Sequence, residues 1–331
     1  MTGLSVVIAK NGFSGVVALT GPGWTDSEIV AGLADRAQRR PNQRNTAFSV
    51  ASMTKGFVAV AVMSLVESGA LALDTRLRDL VGNELPLVDP AVTIETLLTH
   101  RSGVGDYLDE EQLVDIDDFI FNVSAHTLAT PDDYLPHISG HPQVSAPGER
   151  FAYNNGGFIM LSIAMERATG ARFHDLVRER VFEPAKMTGA GFFRSDDLPA
   201  NAALGYVKSG RTNVFHLPVI GGGDGGAYVT AEDMSAFWIA LFDGRLLGND
   251  LTAAMIEPVS EAPGQKMRYG RGFWLAPEGD AVVLEGMDAG VSAYSSFNPT
   301  TGRGYTVLSN TSTGTRPVVR HLEDESLSFR C

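Results

Sequence analysis

The chain has 331 residues and a formal net charge of −13, from 26 basic and 39 acidic side chains. So acidic a surface repels phosphate backbones and anionic lipid heads, so neither nucleic acid nor a membrane is an expected partner. Hydrophobic residues make up 44% of the chain, enough for a sizeable core, and the single cysteine, Cys331, excludes an intrachain disulfide and a thiolate metal cage.

Residues 1–50 read as strands. The apolar run Leu4 to Ala9 is too short for a secretory signal, and its only nearby base, Lys10, follows the run. No apolar stretch reaches membrane-spanning length, the longest being Phe57 to Val66, so a cytoplasmic protein is expected. Ser14 to Leu19 is short, β-rich and bounded by glycine, and Glu28 to Ala31 follows the Gly21-Pro22-Gly23 turn. From Ser52 to Glu67 the pattern turns helical: Met53, Phe57, Val60, Ala61, Ser64 and Leu65 recur on one face, and Gly69 ends the run.

The middle of the chain is mostly helical. Asp74 is placed to cap Thr75 to Val81, and Thr93 to cap Ile94 to His100. Residues 104–150 are irregular, a length of loop that usually carries function. Phe158 to Ala168 is an apolar helix closed by Gly170, and Phe173 to Val181 is another, stopped before Pro184. The glycine run 221–226 lacks the Lys-Ser/Thr of a phosphate loop and reads as a turn near the rim of the site. Thr230 and Asp233 form the ends of a capping box for the helix Met234 to Leu241. Strands return at Phe273 to Leu275, Ala281 to Leu284, Val291 to Phe297 and Gly304 to Ser309. Strands at both ends with helices between them predict an α/β chain of the α+β type. A sheet domain is expected from residues 1–70 and 225–331, and a mostly helical domain from 71–224.

Two short motifs carry chemistry. In Ser52-Met53-Thr54-Lys55 the serine and lysine share one helical face, so the amine reaches the hydroxyl, which needs a neighbouring base to become nucleophilic. The plainer alternative makes Ser52 an N-cap and Lys55 a solvated residue. In Tyr153-Asn154-Asn155 the tyrosine beside a cation can relay a proton, and Asn155 can hold a substrate carbonyl or Lys55. The alternative there is a turn whose asparagine caps the next helix.

With these motifs in hand, the chain resembles the serine β-lactamase and penicillin-binding superfamily, nearest its class C β-lactamase, D-alanyl-D-alanine carboxypeptidase and family VIII esterase branch. Ser52 to Lys55 is similar to the SxxK signature and Tyr153 to Asn155 to the YxN element. Leu97-Leu98-Thr99-His100-Arg101-Ser102-Gly103 resembles the branch's LLTHTSG segment, and Pro184 to Met187 its PLGM; Gly225 to Asp233 resembles its glycine–threonine–aspartate helix entry. Tyr269 to Phe273 and Leu308-Ser309-Asn310 fit its C-terminal strands. The resemblance runs in family order from about Gly15 to Asn310. It implies a β-lactamase/transpeptidase-like fold, an antiparallel sheet flanked by helices plus a mostly helical second domain. It also implies catalysis by Ser52, Lys55 and Tyr153 through an acyl-enzyme, with neither metal nor cofactor.

The third family element is altered. Gly286 to Ser296 stands where the family carries Lys-Thr-Gly or His-x-Gly, and the Tyr294-Ser295-Ser296 end sets a register in which Met287 replaces the basic residue and Ala289 the glycine. Gly290 is then expected to supply the second oxyanion-hole amide beside that of Ser52. Losing the cation removes a charge-assisted hydrogen bond to a substrate carboxylate, about 1.5–3 kcal/mol or roughly 10- to 150-fold in affinity. Asp288 beside it favours an amine-bearing substrate.

The expected activity is therefore hydrolysis of a small ester or amide without an essential carboxylate. A β-lactamase or D-amino-acid peptidase using Arg303 or Arg271 as substitute cation is one alternative, and a non-turnover penicillin-binding or sensor protein another. His137 and His141, near Asp132 and Asp133, are taken as loop residues because Pro136 and Pro142 work against a helix and no further ligand is placed. His100 reads as a hydrogen-bonded structural histidine. The acidic stretch of Asp106, Asp109, Glu110, Glu111, Asp115, Asp117 and Asp118 reads as a solvated face, which the resemblance places at the border of the pocket, where it would disfavour anionic substrates.

Overall fold

A computed structural model describes residues 3–22, 28–108, 115–121, 123–262 and 264–328. Gly23, Asp109, Glu110, Glu111 and Cys331 lie outside the described residues. The chain begins with helix α1 (Gly3–Lys10), then strands β1 (Gly15–Thr20), β2 (Glu28–Ala31), β3 (Leu33–Asp35), β4 (Arg40–Pro41) and β5 (Phe48–Ser49). Eight helices follow from the middle of the chain onward: α2 (Thr54–Glu67), α3 (Leu77–Val81), α4 (Ile94–Leu98), α5 (Leu135–Ile138), α6 (Asn155–Thr169), α7 (Phe173–Val177), α8 (Glu183–Ala185) and, after β6 (Tyr228–Val229), α9 (Ala231–Phe242). Helix α10 (Asn249–Ile256) leads into β7 (Ser260–Ala262), β8 (Met267–Tyr269), β9 (Trp274–Leu275), β10 (Val282–Asp288), β11 (Val291–Asn298) and β12 (Arg303–Ser309), and α11 (Thr315–Ser328) closes the chain.

Eight strands form one antiparallel sheet in the order β2-β1-β12-β11-β10-β9-β8-β7, so the two ends of the chain meet at its centre. β1 pairs with β12 from Gly15 opposite Ser309 to Thr20 opposite Gly304. Helix α2 is buried on every side from Thr54 to Leu65, and its residues from Phe57 to Met63 are all apolar, as suits a helix with no solvent face. Its Phe57 ring packs edge-on against Phe182 at 5.5 Å and Phe237 at 5.0 Å. Leu4 and Ile8 of α1 pack with Val318, Val319 and Leu322 of α11 in a separate cluster with Val17 and Val307 of the sheet. Among the described residues no helix is long and apolar enough to cross a membrane.

Several elements differ from their sequence reading. Residues 3–10 are helical where a strand is expected, because Leu4 and Ile8 lie one turn apart and find a partner in α11, 300 residues away in sequence. Asp74 starts no helix: Thr75 Oγ1 accepts from the Ala72 amide at 3.0 Å in a tight turn, and α3 begins only at Leu77. The helical path from Phe173 continues past Pro184, since the π turn Arg178–Phe182 loosens the hydrogen-bond ladder ahead of a ring with no amide to donate. The Thr230–Asp233 capping box forms as read, with the Asp233 amide donating to Thr230 Oγ1 at 3.1 Å and the Thr230 amide to Asp233 at 2.9 Å. Thr230→Ala is expected to cost about 1 kcal/mol, or about 2 °C in Tm, measured by thermal unfolding.

Candidate active site

Ser52 lies in a 3-10 turn, Ala51–Met53, that leads from β5 into α2. β5 is pinned to β6, and the Val50 amide donates to the Ala227 carbonyl at 2.9 Å. Ala51 takes a left-handed φ of +46°, the kind of backbone strain found where a side chain must be presented at a fixed angle. Ser52 is not the helix cap: Met53 holds that position, and no side-chain hydrogen bond caps α2. Nor is Lys55 solvated, being only 2% exposed.

Burial commits the Lys55 amine to protein partners. Its Nζ lies 2.9 Å from Ser52 Oγ, 2.8 Å from Asn155 Oδ1 and 2.6 Å from the Asp224 main-chain oxygen. Asn155 is the first residue of α6, and Asn154 before it caps the helix by accepting the Gly157 amide at 2.6 Å. The asparagine cap and the site contact therefore coexist, on adjacent residues. Tyr153, which precedes them, turns its ring toward the amine, with Nζ 4.9 Å from the ring centroid. That ring is sandwiched, stacked on Trp274 at 5.9 Å and tilted against His100 at 4.5 Å. The structure thus brings Ser52, Lys55, Tyr153 and Asn155 together.

His100 Nδ1 accepts the Asn154 amide at 3.1 Å, the hydrogen-bonded role expected of it. Burial, and then the nearby Lys55 charge, hold its pKa well below the usual imidazole range, so the ring is neutral. Asp106, read as part of a solvated face, instead turns inward and caps α6: it accepts the Asn155 amide at 2.6 Å and the Gly156 amide at 2.9 Å. Burial raises its carboxyl to about 6, opposed by these amides and by Lys55. Burial also raises the Asp224 carboxyl, which accepts the Tyr107 hydroxyl. Asp115 and Asp117 are engaged as well, the first by the Lys208 ammonium and the second by the Lys208 amide at 2.8 Å.

The third element corrects one expectation. Gly290, at φ +71° in the β10–β11 turn, donates its amide to Ser312 Oγ at 2.8 Å, so this amide is not the second oxyanion donor. The strand residue that meets Ser52 is Gly286, where any Cβ would overlap the Val50 carbonyl oxygen and come within 2.8 Å of the Ser52 amide nitrogen. Met287 and Asp288 line the pocket, Met287 at its rim with 37% exposure. Neither proposed substitute cation is at hand. Arg271 pairs with Glu95 at 2.8 Å, and Arg303 donates to the Pro22 carbonyl at 2.7 Å. The guanidinium beside Met287 belongs to Arg316 of α11, 3.3 Å from the thioether sulfur.

Ser52 opens into a pocket with about 50 Å³ of room for water-sized occupants. Tyr107, Phe119, Phe121, Phe193 and Tyr228 supply aromatic walls, and the described lining residues include two aspartates, Asp224 and Asp288, but no lysine, arginine or histidine. Sequence reasoning did not single out Tyr107 or these walls; the length of the irregular stretch 104–150 pointed toward Tyr107, Phe119 and Phe121, and Asp224 lies in the glycine run read as a turn near the rim.

Residues 6–327 match a family model described as Beta-lactamase. The chain is 28% identical over 279 residues to the putative penicillin-binding protein PbpX of Bacillus subtilis, covering 83% of this chain and 65% of that one. It is 34% identical over 190 residues to Esterase EstB of Burkholderia gladioli, covering 53% and 45%. The chain thus spans less than two thirds of either curated relative. A solved penicillin-binding protein from Bacillus halodurans superposes with a TM-score of 0.90 at 38% identity, covering 97% of this chain and 99% of that one.

The raised Asp106 carboxyl has a stability consequence of fixed sign. From the ordinary carboxyl value of 3.8 it rises to about 6 on folding, so the folded state binds the proton more tightly. Its contribution to stability is greatest below about pH 4, falls as pH rises toward 6, and is flat above, a total change of about 3 kcal/mol. Asp106→Asn is expected to lose this slope, seen as the pH dependence of urea midpoints for wild type minus variant; parallel curves would contradict it.

Proposed function

This chain belongs to the Beta-lactamase family, and on that footing we propose that it is a serine hydrolase acting on small esters or amides through an acyl-enzyme on Ser52. One observation carries the reading: the Lys55 amine, 2% exposed, sits 2.9 Å from Ser52 Oγ. Its other two partners are carbonyl oxygens, which only accept. They hold two N–H groups whether the amine is charged or neutral. The third position faces a hydroxyl, which accepts from an ammonium and donates to an amine. A proton therefore passes from Ser52 to neutral Lys55 without disturbing the other two bonds, as general-base activation of a serine requires.

In the proposed sequence Ser52 attacks the acyl carbon as Lys55 takes its proton, with the Tyr153 ring held against the cation that forms. The developing oxyanion is met by the Ser52 amide and, we argue, by that of Met287. Asp288 and Val291 close the β10–β11 hairpin, and bonding alternates along an antiparallel ladder, which turns the Met287 amide away from β11. β9 pairs with β10 only at Val282 and Val283, so that edge is open where Gly286 meets Ser52. Lys55 or Tyr153 returns the proton to the leaving group, and water then releases the acid.

An aromatic pocket without a basic lining residue supports a substrate whose acyl or leaving group is apolar and lacks an essential carboxylate; Asp288 further favours an amine-bearing one. EstB, named an esterase, agrees with this preference. Arg316 favours a second reading, in which its guanidinium reaches past Met287 to a substrate carboxylate, as in a β-lactam or a D-amino-acid peptide.

A short p-nitrophenyl ester and a chromogenic cephalosporin separate the two. Ester turnover that Ser52→Ala lowers by about 10³-fold or more is expected, with little cephalosporin turnover. Undiminished ester turnover in Ser52→Ala would refute the hydrolase reading. Arg316→Ala is expected to leave ester turnover unchanged; a loss of roughly 10- to 150-fold confined to the cephalosporin would establish the second reading instead.

A further inference from the structure

The two carbonyl groups that hold Lys55 have no reason of their own to sit still. Asn155 carries its oxygen on a rotatable amide, and Asp224 lies in a run of glycines. Both are gripped from one short segment, residues 104–108. The Asp106 carboxylate fixes the backbone of Asn155 and Gly156 through their amides at 2.6 and 2.9 Å. The Leu108 carbonyl accepts Asn155 Nδ2 at 3.1 Å, which leaves Asn155 Oδ1 as the end that faces Lys55. The Tyr107 hydroxyl donates to the Asp224 carboxylate, and the main-chain oxygen of that same residue accepts from the lysine amine. The Val104 carbonyl accepts Asn154 Nδ2 at 2.9 Å, fastening the helix cap as well.

We infer that Asp106 and Tyr107 are positioning residues for the reaction: a clamp that fixes both carbonyl acceptors of Lys55 and so sets where its amine stands relative to Ser52. The inference rests on the reading of Lys55 as the base. Neither side chain touches the amine. Each acts through the residue that does, Asp106 through Asn155 and Tyr107 through Asp224. The clamp also places two carboxylates around the amine, since Asp106 and Asp224 both feel the Lys55 charge. The groups facing Asp106 are the Asn155 and Gly156 amides of α6, the Leu108 amide, Lys55 of α2 and the Tyr107 phenol. Those facing Asp224 are Lys55, Tyr107 and Tyr134. The clamp therefore aims the base while keeping both carboxylates off the amine itself, each acting through a carbonyl that touches it.

The test compares Tyr107→Phe and Asp106→Asn with wild type and Ser52→Ala, on the p-nitrophenyl ester from pH 5 to 10, with Tm recorded at each pH. A drop of about 10- to 100-fold in kcat is expected for both variants, with KM within about twofold of wild type, since a displaced base costs rate and not binding. A merely structural role would lower Tm and leave the kcat of the folded protein unchanged; with Ser52→Ala inactive, that result overturns the clamp alone. Full activity in Ser52→Ala would instead remove the base reading on which the clamp stands.

Discussion

An amine taken out of water must place its protons on acceptors, and the architecture of this protein is organised around that demand at Lys55. Leaving a buried ammonium unpaired would cost several kcal/mol, a large part of the net stability of an ordinary domain. The three acceptors come from widely separated places: Ser52 one turn before the lysine, Asn155 a hundred residues later, and Asp224 further still. Bringing them to one point requires the fully buried α2, the α6 N-terminus and the glycine run to converge beside the sheet.

The same convergence gives the site its electrostatic character. Lys55 is held by neutral carbonyls, with the Asp106 and Asp224 carboxylates one residue or one bond behind them. His100, which burial and the lysine charge keep neutral, adds no competing cation. On the solvent side the pocket is aromatic, and the Met287 thioether stands at its rim. The nearest guanidinium there, Arg316, comes from α11 and stands at the exposed rim. Inside, the environment is arranged around a proton; at the rim, it offers a bulky apolar group contact and little charge.

The parts of the site legible in the sequence are those fixed by short-range rules. Ser52 and Lys55 stand three apart on consecutive turns, and Tyr153-Asn154-Asn155 is a compact motif whose cap and side-chain contact both follow from local geometry. The C-terminal strands were legible too, because Val282, Val283, Val291, Tyr294, Tyr305, Thr306 and Val307 are strand-favouring residues in short runs. What escaped depended on contacts across the chain. Asp106 and Tyr107 sit among acidic residues with no periodicity, and only the approach of α6 and Asp224 turns them inward. Gly290 was misjudged because matching letters set a register without saying which strand edge an amide faces; the Ser312 hydroxyl that claims it lies 22 residues on. The helix at residues 3–10 escaped for a related reason: a short apolar run fits either a strand or a helix until its partner is known.

The most direct measurement is peptide-level mass spectrometry of the protein after reaction with a fluorophosphonate. The account predicts one phosphonylated residue, Ser52, with labelling slowed when Lys55 is replaced by methionine. A modification at any other side chain, or equal labelling rates with and without the lysine amine, would contradict it.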